Sequence, residues 1–550
     1  MRSIVRRAAL LVAIAWVASG GRFAFAAEPD LRLVTAASQQ DKAAIRALLN
    51  QRVDVNASRA DGVTALLWAV HFGDLETVDL LLNAGANVNS ADDHGVTPLA
   101  EAAENNSSEL VQKLLAAGAN PNAAQTSGMT PLITAAHTGN VEVVNALIAR
   151  GADVNASTKE TGVTALMWAV ADQRRDAAKV LIEHHADVRR SSTKGFTPLL
   201  FAARNGDIET AKVLIAAGAD VNERASDGTQ VLPFAIWNGQ EAFALFVLDQ
   251  GANPNSAMGG VQALHIAAGP VDLWLEPWTR TRYGGNVYSA GNGGGINSRL
   301  SARQRLNIVK ALLAHGADAN ARIVSSAMMM SYIGYPTKGA FEPFACGTGD
   351  LRGATPLWIA ALAANSGDRL FARGDGADAQ MSGPDASAEI LRTLLAAKAD
   401  LRLTTVDGTT PLMVAAGLGR ATFDPTLKRG RRSPSAEQAV QILLDAGADI
   451  NAVNEADFTA LHGAAFRGLN EVIKILVDRG AAINARDFRG RTPYRLAEGA
   501  KQSFQFQAYP ETAAYLKQLG ADTRLGIPGT VQERNRDLAA AAAAAMTQKQ

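Results

Sequence analysis

Eight histidines, one cysteine and many acidic side chains are the residues of this 550-residue chain that could bind a metal or transfer protons. Their spacing argues against such chemistry. The zinc motif His-Glu-x-x-His does not occur, and neither does the Gly-x-Ser-x-Gly turn of many serine hydrolases. The single cysteine, Cys346, excludes multi-cysteine zinc sites, protein-held iron–sulfur clusters and an internal disulfide. We therefore expect no catalytic residue, no metal and no cofactor.

The elements that carry these residues are copies of one repeat. The segment from Thr64, TALLWAVHFGDLETVDLLLNAGANVN, aligns nearly residue for residue with the segments from Thr130 and Thr197. Twelve positions correspond, 32 to 34 residues apart wherever no insertion intervenes: 31, 64, 97, 130, 164, 197, 230, 262, 355, 410, 459 and 492. This period predicts stacked units, none of which can bury its apolar faces alone.

Each repeat predicts two helices and a turn. A threonine accepts a hydrogen bond from one of the free amides that begin helix A. The proline after it stands at the first helical position, where a backbone amide would have no partner within the helix. Gly206 ends this helix and Gly218 ends the apolar helix B that follows, because glycine readily adopts the left-handed conformation. Asp-Val-Asn and Asp-Gly then turn the chain into a hairpin. The threonines that precede proline are Thr97, Thr130, Thr197, Thr355, Thr410 and Thr492.

A period of 33 residues that carries Thr-Pro-Leu-x-x-Ala resembles the ankyrin repeat, over residues 31–524. The resemblance implies an all-α solenoid of stacked helix–turn–helix pairs joined by β-hairpin turns, here with long loop insertions in the C-terminal half. It implies that His265 and His462 are structural hydrogen-bonding residues. It also implies a concave face of hairpin tips and helix A that binds another macromolecule.

Other polar residues have structural explanations in the same repeat. His185 and Lys398 stand where other repeats have the glycine that ends helix B, so we expect both in the left-handed conformation. Asp74 and Asp207 follow the end of helix A, where capping explains them better than a catalytic carboxylate pair.

The first residues are typical of an export signal. Arg2, Arg6 and Arg7 precede an apolar stretch over 8–18, and Ala24-Phe25-Ala26 supplies small residues for cleavage near Ala26 or Ala27. We expect a secretory signal peptide and a periplasmic or secreted protein. The arginine pair leaves twin-arginine export open, and the arginine-rich start leaves a mitochondrial presequence open. No later apolar run is long enough to predict a membrane span in the mature chain.

The expected domain organisation follows from these boundaries. In chain order it is a signal peptide over 1–27, an N-terminal capping repeat over 28–63, regular repeats over 64–261, repeats with insertions over 262–458, C-terminal repeats over 459–524 and a disordered tail over 525–550.

Four insertions interrupt the period: 269–303, 323–352, 364–386 and 419–435. Three separate helix A from helix B and should project from one edge, whereas 323–352 should leave from the hairpin edge. Residues 269–353 hold 8 of the 31 aromatic residues. This enrichment predicts a recognition surface or small satellite cores that anchor the loops, and the two roles are compatible. The aromatic residues are Trp274, Trp278, Tyr283, Tyr288, Tyr332, Tyr335, Phe341 and Phe344.

One dense basic run, Lys428, Arg429, Arg431 and Arg432, either contacts an anionic partner or is simply solvated. Basic and acidic residues balance at 53 each, so we expect no nucleic-acid partner. The resulting prediction is a monomeric, exported, non-enzymatic scaffold that binds another protein on its hairpin and helix A face. Two alternatives stay open: a small-ligand or glycan receptor or enzyme with a site between the aromatic insertions, and a secreted effector or inhibitor of another cell's protein.

Overall fold

The structure is a computed structural model that describes residues 30–271, 275, 278, 300–325, 351–365, 384–418, 432–502 and 505–526. The expected signal peptide, the chain beyond residue 526 and most of the four insertions lie outside these residues. The chain divides into two compact units, the first of Met1–Glu160 and Glu183–Ala186, the second of Thr161–Ile182 and Asp187–Gln550.

The described residues form twelve helix pairs, which confirms the twelve predicted repeats. Odd-numbered helices are helix A of successive repeats and even-numbered helices are helix B. In chain order they are α1 (Arg32–Ser38), α2 (Lys42–Asn50), α3 (Ala65–His71), α4 (Leu75–Asn83), α5 (Pro98–Glu104), α6 (Ser108–Ala116), α7 (Pro131–Thr138), α8 (Val141–Ala149), α9 (Ala165–Ala171), α10 (Arg175–Glu183), α11 (Pro198–Asn205), α12 (Ile208–Ala216), α13 (Val231–Trp237), α14 (Glu241–Asp249), α15 (Ala263–Ala268), α16 (Ala302–Ala314), α17 (Pro356–Asn365), α18 (Pro384–Ala396), α19 (Pro411–Ala415), α20 (Pro434–Asp445), α21 (Ala460–Arg467), α22 (Asn470–Asp478), α23 (Pro493–Glu498) and α24 (Pro510–Gln518).

The helices begin and end where the sequence predicts. The Thr97 hydroxyl accepts a hydrogen bond from the Ala100 amide at 3.2 Å, and the other five threonines that precede proline cap in the same way. Gly206 ends α11 with a φ of 72°. His185 and Lys398 have φ values of 64° and 65°, which confirms that both occupy the left-handed position without being glycine.

Most connections between repeats are tight turns rather than extended hairpins. Backbone hydrogen bonds such as Asp92 N to Val96 O at 3.1 Å close them. Among the described residues, only two pairs of antiparallel strands form. Strands β1 (Ala257–Met258) and β2 (Val261–Gln262) precede α15, and β3 (Ala500–Gln502) and β4 (Gln505–Gln507) account for the extra length of the last repeat.

Within the compact units, an asparagine in the turn after helix B joins most repeats to the next, and Arg189 and Arg402 stand at this position in two of them. In the first compact unit, Asn89 Nδ2 donates to Gly118 O at 3.2 Å, and Asn89 Oδ1 accepts from the Asn120 amide at 2.7 Å. In the second, Asn222 makes the same pair of contacts with Gly251 and Asn253. Because the pattern recurs at nearly constant spacing, it fixes the register of stacked repeats.

The core of each compact unit lies between helices A and B and between successive repeats. Ala102, Ala103 and Val111 in the first unit and Leu199 and Ala202 in the second are fully buried. The small alanines of helix A let neighbouring helices approach closely. Each large apolar side chain buried in this way contributes about 1.5–3 kcal/mol, and this burial requires the neighbouring repeat.

Candidate functional site

The surface that the sequence predicts as a binding face is best described by one row of residues, four positions after the residue that caps helix A. In the first compact unit Trp68 and Glu101 of this row are half-buried and Thr134 is buried. In the second, Trp168 and Phe201 are half-buried. The next four members are all 0% exposed: Phe234, Ile266, Ile359 and Val414. The row is therefore accessible at Trp68, Glu101, Trp168 and Phe201 and closed from the seventh to the tenth repeat.

A cluster of three aromatic rings marks the row in the first compact unit. Trp68 stacks on Phe72 with ring centroids 5.5 Å apart and planes 16° apart. His71 meets both rings edge-on, at 5.6 Å from Trp68 and 5.1 Å from Phe72. Phe72 is 39% exposed, one of the few large apolar side chains of the described chain that reach solvent. Aromatic rings at a surface supply large contact area at low entropic cost.

An acidic side chain of the next repeat, Glu101, lies beside these rings. Glu101 Oε1 is 2.7 Å from His71 Nδ1, and Glu104, one turn further along α5, is exposed. Asn105 Nδ2 donates to the carbonyl oxygens of Val70 and His71 at 3.0 and 3.2 Å. These bonds satisfy free carbonyls at the end of α3 and fix it against α5.

The second compact unit presents a different aromatic group. Phe196 in the turn before α11 lies 5.2 Å from Phe201 and 5.6 Å from Phe234, measured between ring centroids. The Arg204 guanidinium stands over the Phe201 ring at 5.1 Å. Arginine and aromatic residues are the types that carry most binding energy in protein interfaces.

Trp278, one of the predicted recognition residues, helps to close the row. Its indole Nε1 donates to Thr229 Oγ1 at 2.8 Å, and its ring packs edge-on against Trp237 and Phe234 at 5.2 and 6.2 Å. Trp278 is only 7% exposed. A β-carbon on Gly259, whose φ is 54°, would lie 3.1 Å from Trp278 Cβ, so the contact with the β1–β2 turn is close.

This placement differs from the expected direction of the insertion. The segment that follows α15 was expected to project from the edge opposite the hairpins, yet Leu275 and Trp278 return to the turn at Gly259. Burial of a large ring against Trp237 and Phe234 explains the return. The other predicted aromatic residues lie outside the described residues: Trp274, Tyr283, Tyr288, Tyr332, Tyr335, Phe341 and Phe344. Their role in recognition stays a prediction.

Arg432 is the described member of the basic run, since Lys428, Arg429 and Arg431 lie outside the described residues. Its guanidinium binds the Glu437 carboxylate through two nitrogens, with Nε and Nη2 each 2.9 Å from an oxygen. Hydrogen bonding to the Glu437 carboxylate raises the pKa of Arg432. Arg432 thus pairs with the first turn of α20 and remains exposed.

The two histidines assigned a structural role fulfil it. His265 Nε2 lies 3.1 Å from both Ala321 O and Ala354 O, and His462 Nδ1 lies 2.9 Å from the hydroxyl of Thr459. Burial lowers the pKa of each imidazole to about 4. Across the described ranges, no three His, Cys, Asp or Glu side chains are grouped as metal ligands would be. Within the same ranges, no helix combines the length and apolar character needed to cross the bilayer.

Sequence reasoning missed two features of this face. The exposure of Phe72 has a signal, because other repeats place a polar residue such as Asn105 or Asn205 at this position. The second is Glu223, whose carboxylate accepts a hydrogen bond from the hydroxyl of Thr197 in the preceding turn. Burial raises the pKa of Glu223 to about 7.

Family models agree with the repeat pattern. Family models described as ankyrin repeats in three copies match residues 33–125, 100–192 and 185–258. A model for many copies of ankyrin repeats matches 443–497, and one for a single ankyrin repeat matches 407–455. Among solved structures, the crystal structure of the human ASB11 ankyrin repeat domain is 31% identical and covers 36% of this chain and 89% of its own, with a TM-score of 0.33. No curated protein matches the chain.

Proposed function

The chain belongs to the ankyrin repeat family, and on this premise we propose that it is a non-enzymatic scaffold that binds another protein through helix A and hairpin side chains. The observation that carries this proposal is the change of exposure along the helix A row. Half-buried Trp68, Trp168 and Phe201 leave part of each ring accessible, whereas the row is fully buried from Phe234 to Val414. The contacts of a partner are therefore assigned to the accessible helix A positions of each compact unit.

Residue types support the same assignment. Three of the four accessible row positions hold tryptophan or phenylalanine, and the Arg204 guanidinium stands over the Phe201 ring. Aromatic and arginine side chains carry much of the binding energy of protein interfaces. The exposed positions of helix B, such as Gln112 and Asn145, are small or polar. We assign the insertion segment with Leu275 and Trp278 to bracing, because both side chains are buried against neighbouring repeats.

Export is a second part of the proposal. The basic start, the apolar stretch and Ala24-Phe25-Ala26 support a cleaved signal peptide and a periplasmic or secreted mature protein. Cell fractionation with sequencing of the mature N-terminus tests this part. A cytoplasmic protein that retains Met1 would contradict it.

Affinity capture of a partner tests the binding role. The mature chain is compared with Glu104→Lys and Arg204→Glu, which reverse charges on the helix A side, and with Gln112→Lys, a matched change on helix B. We expect the first two variants to lose a captured protein that the wild type and Gln112→Lys retain. Identical sets of captured proteins from all four chains would overturn the proposal.

A further inference from the structure

We propose that the aromatic side chains of α3 and the acidic side chains of α5 bind a basic segment of the partner protein, with an arginine or lysine side chain placed over the rings of Trp68 and Phe72. This inference rests on the proposed function and specifies the chemistry of the partner.

The first observation is an accessible aromatic face with no charge on it. Trp68 and Phe72 stack with planes 16° apart, and His71 closes one side edge-on to both. The stack leaves Phe72 39% exposed. An aromatic ring attracts a cation over its face through its quadrupole, and arginine uses this contact most often.

The second observation is the charge around the face. Helix A of the second, third and fourth repeats, which are α3, α5 and α7, contains no lysine or arginine. The same helices contain Glu101 and Glu104, both on α5. The side of the rings that faces α5 thus carries carboxylates and no lysine or arginine, and a basic partner segment complements it.

The two glutamates have different roles in this arrangement. Glu101 is committed to His71, with 2.7 Å between Oε1 and Nδ1 and a side chain that is 21% exposed. Glu104 is exposed and forms no ion pair with any residue of the described chain. We therefore assign Glu104 as the carboxylate that a cationic side chain meets, and Glu101 as a positioning residue that holds His71 against the rings.

The alternatives to a basic segment fit these residues less well. An acidic segment would face Glu104 without a compensating cation on α3, α5 or α7. A purely apolar segment would bury Glu104 beside it without a partner, which is costly. The charge pattern therefore favours a basic occupant, and the other two are outcomes of the test.

The experiment is a calorimetric titration of the whole mature chain with defined peptides. The probes are (Arg-Gly-Ser)3, (Glu-Gly-Ser)3 and (Leu-Gly-Ser)3 at low and at physiological salt. We expect the arginine peptide to bind more tightly than the other two and to weaken as salt rises. Equal affinity for the three peptides, or a preference for the acidic or the leucine peptide, would overturn the inference.

Variants locate the binding. Phe72→Leu keeps an apolar side chain but removes the ring, and Glu104→Gln removes the charge; each should weaken binding of the arginine peptide about two- to fivefold. Glu142→Gln removes an equal charge from an exposed position of α8, which is a helix B. This variant should leave the affinity for the arginine peptide unchanged. Circular dichroism confirms that each variant is folded. Equal weakening by Glu104→Gln and Glu142→Gln would show that the peptide senses only net charge, and the site would be wrong.

Failure of this inference can be distinguished from failure of the proposed function. If Glu104→Lys loses a captured protein while the wild type shows no preference for the arginine peptide, the scaffold role stands and the assigned partner chemistry fails. If the peptide binds at this face but no captured protein depends on it, the scaffold role fails instead.

Discussion

Asn320 donates its side-chain Nδ2 to the carbonyl oxygen of Lys398 at 3.2 Å, although 78 residues separate the two along the chain. Asn320 Oδ1 accepts from the Asp400 amide at 2.7 Å. Asn222 makes the same two contacts with residues only 29 and 31 positions away. The insertions of the eighth and ninth repeats therefore leave the contact between neighbouring repeats unchanged.

The first prediction concerns this contact. Asn320→Ala should lower the free energy of unfolding by about 0.5–1.5 kcal/mol, because a carbonyl and an amide lose their partners at a partly solvated site. Asn222→Ala, at a junction without an insertion, should lower the free energy of unfolding by a similar amount. Urea denaturation of the two variants measures both values. A loss for Asn222→Ala with none for Asn320→Ala would contradict stacking across the insertions.

The second prediction concerns Trp278. Trp278→Ala should lower the free energy of unfolding of its part of the chain by about 3–5 kcal/mol, because it leaves a cavity against Trp237 and Phe234. Trp278→Phe retains a ring and loses the hydrogen bond to Thr229, so it should cost about 1 kcal/mol. Denaturation followed by far-ultraviolet circular dichroism gives both values. An alanine variant as stable as the wild type would show that the segment does not brace the repeats.

The third prediction concerns His185, which has a φ of 64°. His185→Gly should raise the free energy of unfolding by up to about 1 kcal/mol, because glycine adopts this conformation without a steric penalty. His184→Gly, one residue earlier, is the matched control and should give no gain. Thermal unfolding of the two variants decides the matter. A destabilised His185→Gly would mean that the imidazole itself makes a contact that outweighs the backbone cost.

The fourth prediction is a pH dependence from Glu223. Its pKa is about 7 in the folded chain and close to 4.5 when unfolded, chiefly because burial disfavours the carboxylate. Asp220 adds to the shift and Arg189 opposes it. Below pH 4.5 both states hold the proton; as the pH rises from 4.5 to 7 the unfolded state releases it first, so stability falls.

Glu223→Gln should therefore be more stable than the wild type at pH 8 and equal to it at pH 4. Glu142→Gln, on an exposed helix B surface, serves as the control and should show no such pH-dependent gain. Thermal unfolding at the two pH values provides the comparison. The same advantage for Glu223→Gln at both pH values would show that charge burial is not its cause.

The sequence was sufficient for the repeat itself. Threonine caps, glycine stops and the left-handed His185 and Lys398 follow from local backbone chemistry, and twelve aligned copies make each position comparable with the others. The structural role of His265 came from the family resemblance. The return of Trp278 to the turn at Gly259 could not be predicted, because an insertion's composition does not specify which surface it contacts. The hydrogen bond between Thr197 and Glu223 depends on how a turn packs against the preceding one, which no local pattern encodes.

The central claim, that a protein partner contacts helix A side chains, is tested most directly by site-specific photo-crosslinking in the cell. A benzophenone amino acid is placed at Glu104 or Arg204 on helix A, or at Gln112 or Asn145 on helix B. We predict a crosslink to a partner protein from Glu104 and from Arg204, and no crosslink to that partner from the helix B positions. Crosslinks to that protein from Gln112 and Asn145 with none from Glu104 and Arg204 would contradict the account.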